Sequence, residues 1–329
     1  MKLNVLFVGD NHISAKTPVN RKDNYLEATL NKLKDCLELG IKHKVNAVVL
    51  LGDVFDVREE GPLARNGALN ILKSQEDGTK WPFPIYVVVG NHDIQSSFSL
   101  DKSSLGTLIN AGVLLKEDYV EELGIAFAHF DPELDDNIKN GMLKNYPAMI
   151  WACHASIVDV LDSRFADKLV LFDDIPLHKD TKMVISGHIH HPMSKIRNDG
   201  AIFVNPGAIG RYSASKDNLS RDIKVYLLSY DLDGTIYKQD YLYLPSAKHY
   251  SEVFKIEEIN NVKEQKKEVQ EFTKIVNSIR ADNWACTVID DKILSFRAFG
   301  ENKNAEKEVI DVAVEELTIV NSDLKLEDI

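Results

Sequence analysis

Cysteine is scarce in this chain of 329 residues, with only Cys36, Cys153 and Cys286. Three scattered thiols exclude a disulfide framework and a thiolate zinc site, and they point to a reducing, cytoplasmic compartment. Long apolar runs are missing too, and none approaches the roughly 20 residues that span a bilayer, so no membrane partner is expected. The opening residues Met1-Lys2-Leu3-Asn4-Val5 pass straight into a strand-like segment, leaving no room for a signal peptide. Positive charge is in deficit: 39 Lys+Arg against 51 Asp+Glu give a net charge of -12. That excludes a uniformly basic face coating nucleic acid. It leaves open an enzyme that meets phosphodiesters through bound cations, because ligand carboxylates themselves add negative charge. Repeats and low-complexity tracts are absent as well. What remains is an ordinary globular composition, 44% hydrophobic and 27% charged, in a chain long enough for one large domain or two moderate ones.

Short apolar runs set the rhythm of the first two thirds. Leu3 to Val8, Ala47 to Leu51 and Ile85 to Val89 read as strands. Between them, Asn24 to Leu39 carries Leu26, Leu30, Leu33 and Leu37 at helical spacing, with Gly40 as a natural stop, and Pro62 opens a second helix reaching about Ser74. A helix near Ser104 to Ala111 precedes strands at Ile125 to Ala128, Met149 to Cys153, Met183 to Ser186 and Ala201 to Val204. Val225 to Tyr230 and Ile236 to Leu244 flank Asp233-Gly234, a strong hairpin signal. The alternation predicts an α/β layer structure whose central strands are covered on both faces. The pattern changes near Pro245. Residues 246–329, with 12 Lys+Arg against 18 Asp+Glu, present a strand at Val253 to Ile256 and a helix from about Val262 to Ile279. Strands at Cys286 to Ile289 and Ile293 to Phe299, a helix around Val309 to Ala313 and a strand at Leu317 to Val320 follow. That β-α-β-β-α-β order suits a small α/β cap over 246–321, followed by an acidic tail at 322–329.

Five of the apolar runs end in residue types that bind metals: Asp10 with His12, Asp53, Asn91, His154, and His188 with His190. Any one alone has a plain explanation. Gly-Asp after a strand is commonly a turn, and a lone histidine is more often a hydrogen-bonded core or surface residue. Five in succession converge, because sites in open α/β sheets lie beyond the carboxyl ends of the strands. Imidazole, carboxylate and amide oxygen without thiolate suit manganese, iron or zinc in a catalytic setting. Asp53 is the best candidate to bridge two cations, being central in order and preceded by Gly52. His129, His178, His191 and His249 stand outside this pattern. Arg58, Arg65, Arg211, Lys216 and Arg221 flank it in loops. Most of these are expected to be solvated charges, and Arg211 is the candidate for a DNA or phosphate contact.

Asp10-x-His12, Gly52-Asp53, Gly90-Asn91-His92-Asp93, His154 and Gly187-His188-x-His190 together resemble the calcineurin-like metallophosphoesterase superfamily over residues 1–245. The resemblance implies a sandwich of mixed β-sheets flanked by helices, with the α/β cap appended. It implies one metal on Asp10, His12, Asp53 and His190, and a second on Asp53, Asn91, His154 and His188. His92 would then assist at the reacting phosphate, oriented by Asp93. Gly52-Asp53-Val54-Phe55-Asp56 and the stretch Asn205 to Ser213 further resemble SbcD-type nuclease subunits of double-strand-break repair, of phage or bacterial type. That narrower likeness implies a DNA exo/endonuclease acting by two-metal activation of water, with Mn2+ as the expected metal and Asp56 near the DNA. An SbcC-type SMC-like ATPase would be its partner, a homodimer is allowed, and the cell would be bacterial or phage-infected. The alternative on the same core is a small-molecule phosphodiesterase or phosphatase, and a non-catalytic scaffold ranks last.

Overall fold

The computed structural model describes residues 2–94, 99–160, 168–260 and 270, without the side chains of 216 and 217. The strands are β1 (Leu3–Val8), β2 (Ala47–Leu50), β3 (Ile85–Val87), β4 (Tyr119–Val120), β5 (Ile125–Ala128), β6 (Ile150–Cys153) and β7 (Ile157–Val158). They continue with β8 (Val170–Leu171), β9 (Met183–Ser186), β10 (Met193–Ile196), β11 (Ile202–Asn205), β12 (Lys224–Tyr230) and β13 (Ile236–Tyr243). The helices are α1 (Tyr25–Lys42), α2 (Pro62–Lys73), α3 (Asn91–Ile94) and α4 (Ser104–Asn110), then α5 (Leu134–Lys139), α6 (Met142–Asn145), α7 (Lys216–Ser220) and α8 (Tyr250–Val253). One sheet has the order β13-β12-β1-β2-β3, a second has β10-β11-β9-β6-β5-β4, and β7 and β8 pair separately. Both large sheets are mixed. In the first, β1, β2 and β3 run parallel while β12 and β13 join antiparallel at one side. In the second, a parallel centre of β5, β6, β9 and β11 is flanked by antiparallel β4 and β10.

The period of two explains why the strands are apolar throughout. Leu3, Val5 and Phe7 of β1 join Ala47 and Val49 of β2 in a core shared with Ile150, Ala152, Met183 and Ile185 of the second sheet. Their neighbours Leu6, Val8, Val48 and Leu50 face the other way, into a core built with Leu33, Cys36 and Leu37 of α1 and Ala64, Ala68 and Leu72 of α2. Trp151, Cys153 and Val184 form a third layer outside the second sheet. With both faces covered, no position in a central strand can be polar without cost, which is the mixed sandwich flanked by helices that the sequence implies.

Two local expectations are corrected. α1 does not stop at Gly40 but runs on to Lys42. A Cβ at residue 40 would press into the Phe83 ring, so this glycine serves close packing rather than termination. Val253 to Ile256 is not a strand: Tyr250–Val253 is a helical turn, and Phe254, fully buried, makes only an isolated bridge to Arg21. The chain divides into compact units at Met1–Lys255 and Ile256–Ile329, so the segment after Pro245 belongs to the first unit up to Lys255. There Ser246 N–H donates to Asp35 Oδ2 at 2.6 Å. The elements expected between 262 and 320, and the acidic tail, lie outside the described residues. Among the described residues, no helix is long and apolar enough to cross a membrane.

Candidate metal centre

The turns after β1, β2, β3, β6 and β9 meet at one end of the sandwich, three from the first sheet and two from the second. Their backbone is constrained in an unusual way. Of the four non-glycine residues with positive φ among the described residues, three are His12 (47°), Asp53 (46°) and His188 (73°). Such conformations are unfavourable for residues with a Cβ and persist where the surroundings enforce them, typically at functional sites. The enforcing contacts are visible. Asn11 and His12 donate their N–H groups to Asp53 O at 3.0 and 2.9 Å, and His188 N–H donates to Asp10 Oδ1 at 3.1 Å. Gly90 must lack a side chain, because a Cβ there would fall on the Asp53 carboxylate and backbone.

Two groups of donors result. In the first, His12 Nε2 and His190 Nε2 lie 2.9 Å apart, and His190 Nε2 is 3.4 Å from Asp10 Oδ2. In the second, Asn91 Oδ1 is 3.0 Å from both His154 Nε2 and His188 Nδ1. Asp53 stands between them, with Oδ2 3.7 Å from His12 Nε2 and Oδ1 3.4 Å from His154 Nε2. Asp10, Asp53 and His154 are buried, and Asp10 Oδ2 has no hydrogen-bond partner. A buried carboxylate oxygen without a donor, facing imidazole nitrogens, is costly unless a cation completes it. The residues therefore fit two cations sharing Asp53. Asp10, His12 and His190 bring ligand atoms close enough for one ion, and Asp53, His154 and His188 for another.

Electrostatics reinforce the fit. Burial raises Asp53, but the facing imidazoles of His154, His12 and His92 outweigh it and hold the carboxyl well below its usual range. Burial lowers His154 and the Asp53 and Asp10 carboxylates more than reverse this, bringing it to about 9. His190 is pushed down to about 4 by burial, and burial with the nearby His154 charge also lowers His188. His154 Nδ1 donates to Leu51 O at 2.8 Å, so that in the neutral ring a cation would bind, the Nε2 lone pair would face the centre.

His92 sits at the edge of the cluster. Its ring lies 4.8 Å from that of His12, and its main-chain N–H donates to Asp53 Oδ1 at 2.9 Å. The expected orientation by Asp93 is corrected. Asp93 is buried and its carboxylate accepts from Gly90 N at 2.9 Å and Phe55 N at 3.3 Å, locking the turn rather than the ring. Burial and the Asp53 charge raise its carboxyl above the usual range. The ring is held instead by the main-chain carbonyl of Asp56, which accepts from His92 Nδ1 at 2.5 Å. The Asp56 carboxylate lies 3.4 Å from His12 Nδ1 and is only 15% exposed, so this residue faces two histidines of the cluster.

Arg211 is not brought to the centre. It is 5% exposed and donates to Lys248 O at 2.6 Å and to Arg221 O at 2.7 Å. Arg221 donates to Ala208 O and Gly210 O, Arg21 to Arg211 O, and Lys32 to Ile209 O. Four buried basic side chains thus fasten the loop from Asn205 to Arg221 through main-chain carbonyls. The sequence pattern marks Arg211 and Arg221 as loop charges, because a guanidinium that satisfies buried carbonyls leaves no local periodic signal. Lys32 and Arg21 were missed for the same reason. Arg211→Ala leaves two carbonyls without donors and should destabilise the fold by about 2–4 kcal/mol. Urea unfolding of the metal-free protein measures this, and an unchanged midpoint would refute the fastening role. Of the histidines set aside, His129 is a structural pin, accepting from Val89 N–H at Nδ1 and donating from Nε2 to Glu117 O. Arg58 bonds Ser99 O and Glu59.

A family model described as calcineurin-like phosphoesterase matches residues 3–192. No curated protein sequence matches the chain. Among solved structures, a dimetal phosphatase from Danio rerio is similar, with 12% identity and a TM-score of 0.42, over 74% of this chain and 99% of that one. YfcE, a phosphoesterase from E. coli, is similar with 15% identity and a TM-score of 0.35, over 72% and 98% of the two chains.

Proposed function

The chain belongs to the calcineurin-like phosphoesterase family, a family that implies two divalent metals, and from that premise we propose that it is a DNA nuclease of the SbcD type. It would act as an exo/endonuclease on phosphodiester bonds during recombination, repair or phage DNA processing. The observation that carries this narrower reading is the Asn205–Ser213 stretch, which resembles that subfamily and is built into the wall of the centre. Its Ala208 N–H donates to His190 O at 3.1 Å, and its Ile209 N–H donates to Asp10 O at 2.9 Å.

In this reading Asp10, His12, Asp53 and His190 hold one cation, and Asp53, Asn91, His154 and His188 hold the other, with Mn2+ the preferred ion. Bound there, two cations supply an acidified water and a clamp on the attacked and leaving oxygens of a phosphoryl group. His92 stands beside them, its Nδ1–H fixed on Asp56 O, so that in the imidazolium form the Nε2–H would be the proton given to the leaving oxygen, the ring returning to its neutral Nδ1–H tautomer. The Asp56 carboxylate, 3.4 Å from His12 Nδ1, favours the ring orientation in which Nε2 turns inward. An SbcC-type ATPase partner and a cytoplasmic setting complete the proposal.

The net charge of -12 favours a second reading, a small-molecule phosphodiesterase or phosphatase on the same core. End-labelled duplex and hairpin DNA, tested with Mn2+ and with or without an SMC-like ATPase, separate the two beside cyclic nucleotides and bis(p-nitrophenyl) phosphate. Cleavage of DNA is expected. Turnover of the small esters with intact DNA in every condition would replace the nuclease reading by the second.

A further inference from the structure

Beside the centre lies a cavity of about 370 Å³ whose lining includes His191, Pro192, Pro206, Asp222, Lys224 and Tyr241. It begins one residue from His190 and shares a wall with it, since Pro206 leads into the Ala208 N–H that donates to His190 O. Arg221 also lines it. Its donors are engaged by Ala208 O, Gly210 O and Asn218 Oδ1, so it offers the cavity a positive field rather than hydrogen bonds.

Lys224 differs from Arg221. Its side chain is 28% exposed, its ammonium lies 4.6 Å from the Tyr243 ring centroid, and its carboxylate partner Asp222, at 3.1 Å, is itself 62% exposed. An exposed pair of this kind is weak, so an incoming phosphate can take the ammonium over. Pro192, Pro206 and Tyr241 add ring groups to the same lining, and Tyr241 is steadied by Tyr226 at 5.3 Å between centroids. The volume falls at the low end of ligand pockets, about 300–1,000 Å³, and admits a single nucleotide rather than a duplex.

We propose that this cavity is a subsite for the nucleotide adjoining the scissile phosphate, with Lys224 pairing with its outer phosphate and Pro192, Pro206 and Tyr241 packing against its sugar and base. The subsite rests on the phosphodiesterase reading of the neighbouring centre and specifies which part of the substrate its flank recognises. A strand delivered to the centre would then be read one nucleotide at a time at this wall, whatever its base sequence, because the contacts are to phosphate and ring faces.

The test compares kcat/KM, with saturating Mn2+, for a thymidine dinucleotide bearing a 5′- or a 3′-terminal phosphate, the same dinucleotide without it, and bis(p-nitrophenyl) phosphate. The protein should prefer one phosphorylated dinucleotide over the bare one by about tenfold, expressed mainly in KM. Lys224→Ala should remove that preference, Lys224→Glu should invert it, and Lys224→Arg should restore it. A merely structural lysine would lower all four substrates together and leave their ratios alone. No preference in the parent protein, or a preference that survives Lys224→Ala, overturns the subsite while hydrolysis of bis(p-nitrophenyl) phosphate leaves the phosphodiesterase reading standing. Failure of the parent protein on all four esters overturns that reading and the subsite with it.

Discussion

Replacing Asp53 by Asn should weaken both cations together and remove nearly all turnover. The reason is the split geometry of one carboxylate, with Oδ2 toward His12 and Oδ1 toward His154. An asparagine is the same size but offers one oxygen and one NH2 group, so one side must face a donor in place of a ligand. Loss of an outer-shell partner alone typically lowers metal affinity by 10–100-fold, and a shared direct ligand should exceed the upper end of that range, about 100-fold, at both positions. Activity should fall at least as far. Folding should survive, because the variant relieves a buried charge and retains an acceptor for His92 N–H. Two measurements check this: calorimetric titration with Mn2+, and the rise in melting temperature that Mn2+ confers, which should shrink with the affinity. If one of the two cations titrates with its original affinity, Asp53 is not the bridge.

His92→Ala should behave differently, keeping metal and losing chemistry. The group that touches Asp53 is the main-chain N–H of residue 92, which alanine retains, while among the described residues the ring meets Asp56 and the edge of His12. General acid assistance is typically worth 10²–10⁴ in rate, so kcat should fall by about that factor on a dinucleotide. The loss should be much smaller on bis(p-nitrophenyl) phosphate, whose phenolate leaves without a proton. Equal losses on the two esters would make His92 a charge stabiliser rather than an acid. A fall in Mn2+ affinity comparable to that of Asp53→Asn would make it a ligand.

Sequence and tertiary structure divide the remaining questions along a physical line. The buried strands are legible because both faces of each central strand meet a hydrophobic layer, which forces runs such as Leu3–Val8 and Met183–Ser186 to be apolar throughout. The candidate ligands are legible for a related reason: a residue at the end of such a run sits where the chain leaves the core, and its type is then free to be chemical. Gly40 was misleading because a helix interior can hold glycine when a ring such as Phe83 occupies the space of its side chain. Arg211 was misleading because charge in a loop normally means solvent, whereas here it satisfies carbonyls beneath the surface.

The sequence by itself determined the alternation of strands and helices, the places where the chain emerges with Asp, Asn or His, and the family pattern that these form. Only the tertiary structure decided that Asp53 turns one oxygen to each group of donors, that Asp56 rather than Asp93 holds the His92 ring, and that Arg211 fastens a loop. Hydrophobic periodicity is a local property, imprinted every second or every three to four residues, and can be recovered from the chain alone. The direction of a carboxylate or a guanidinium is fixed by partners far along the chain, 178 residues away between Asp10 and His188 and 190 between Arg21 and Arg211. Those partners become neighbours only when the two sheets close on each other.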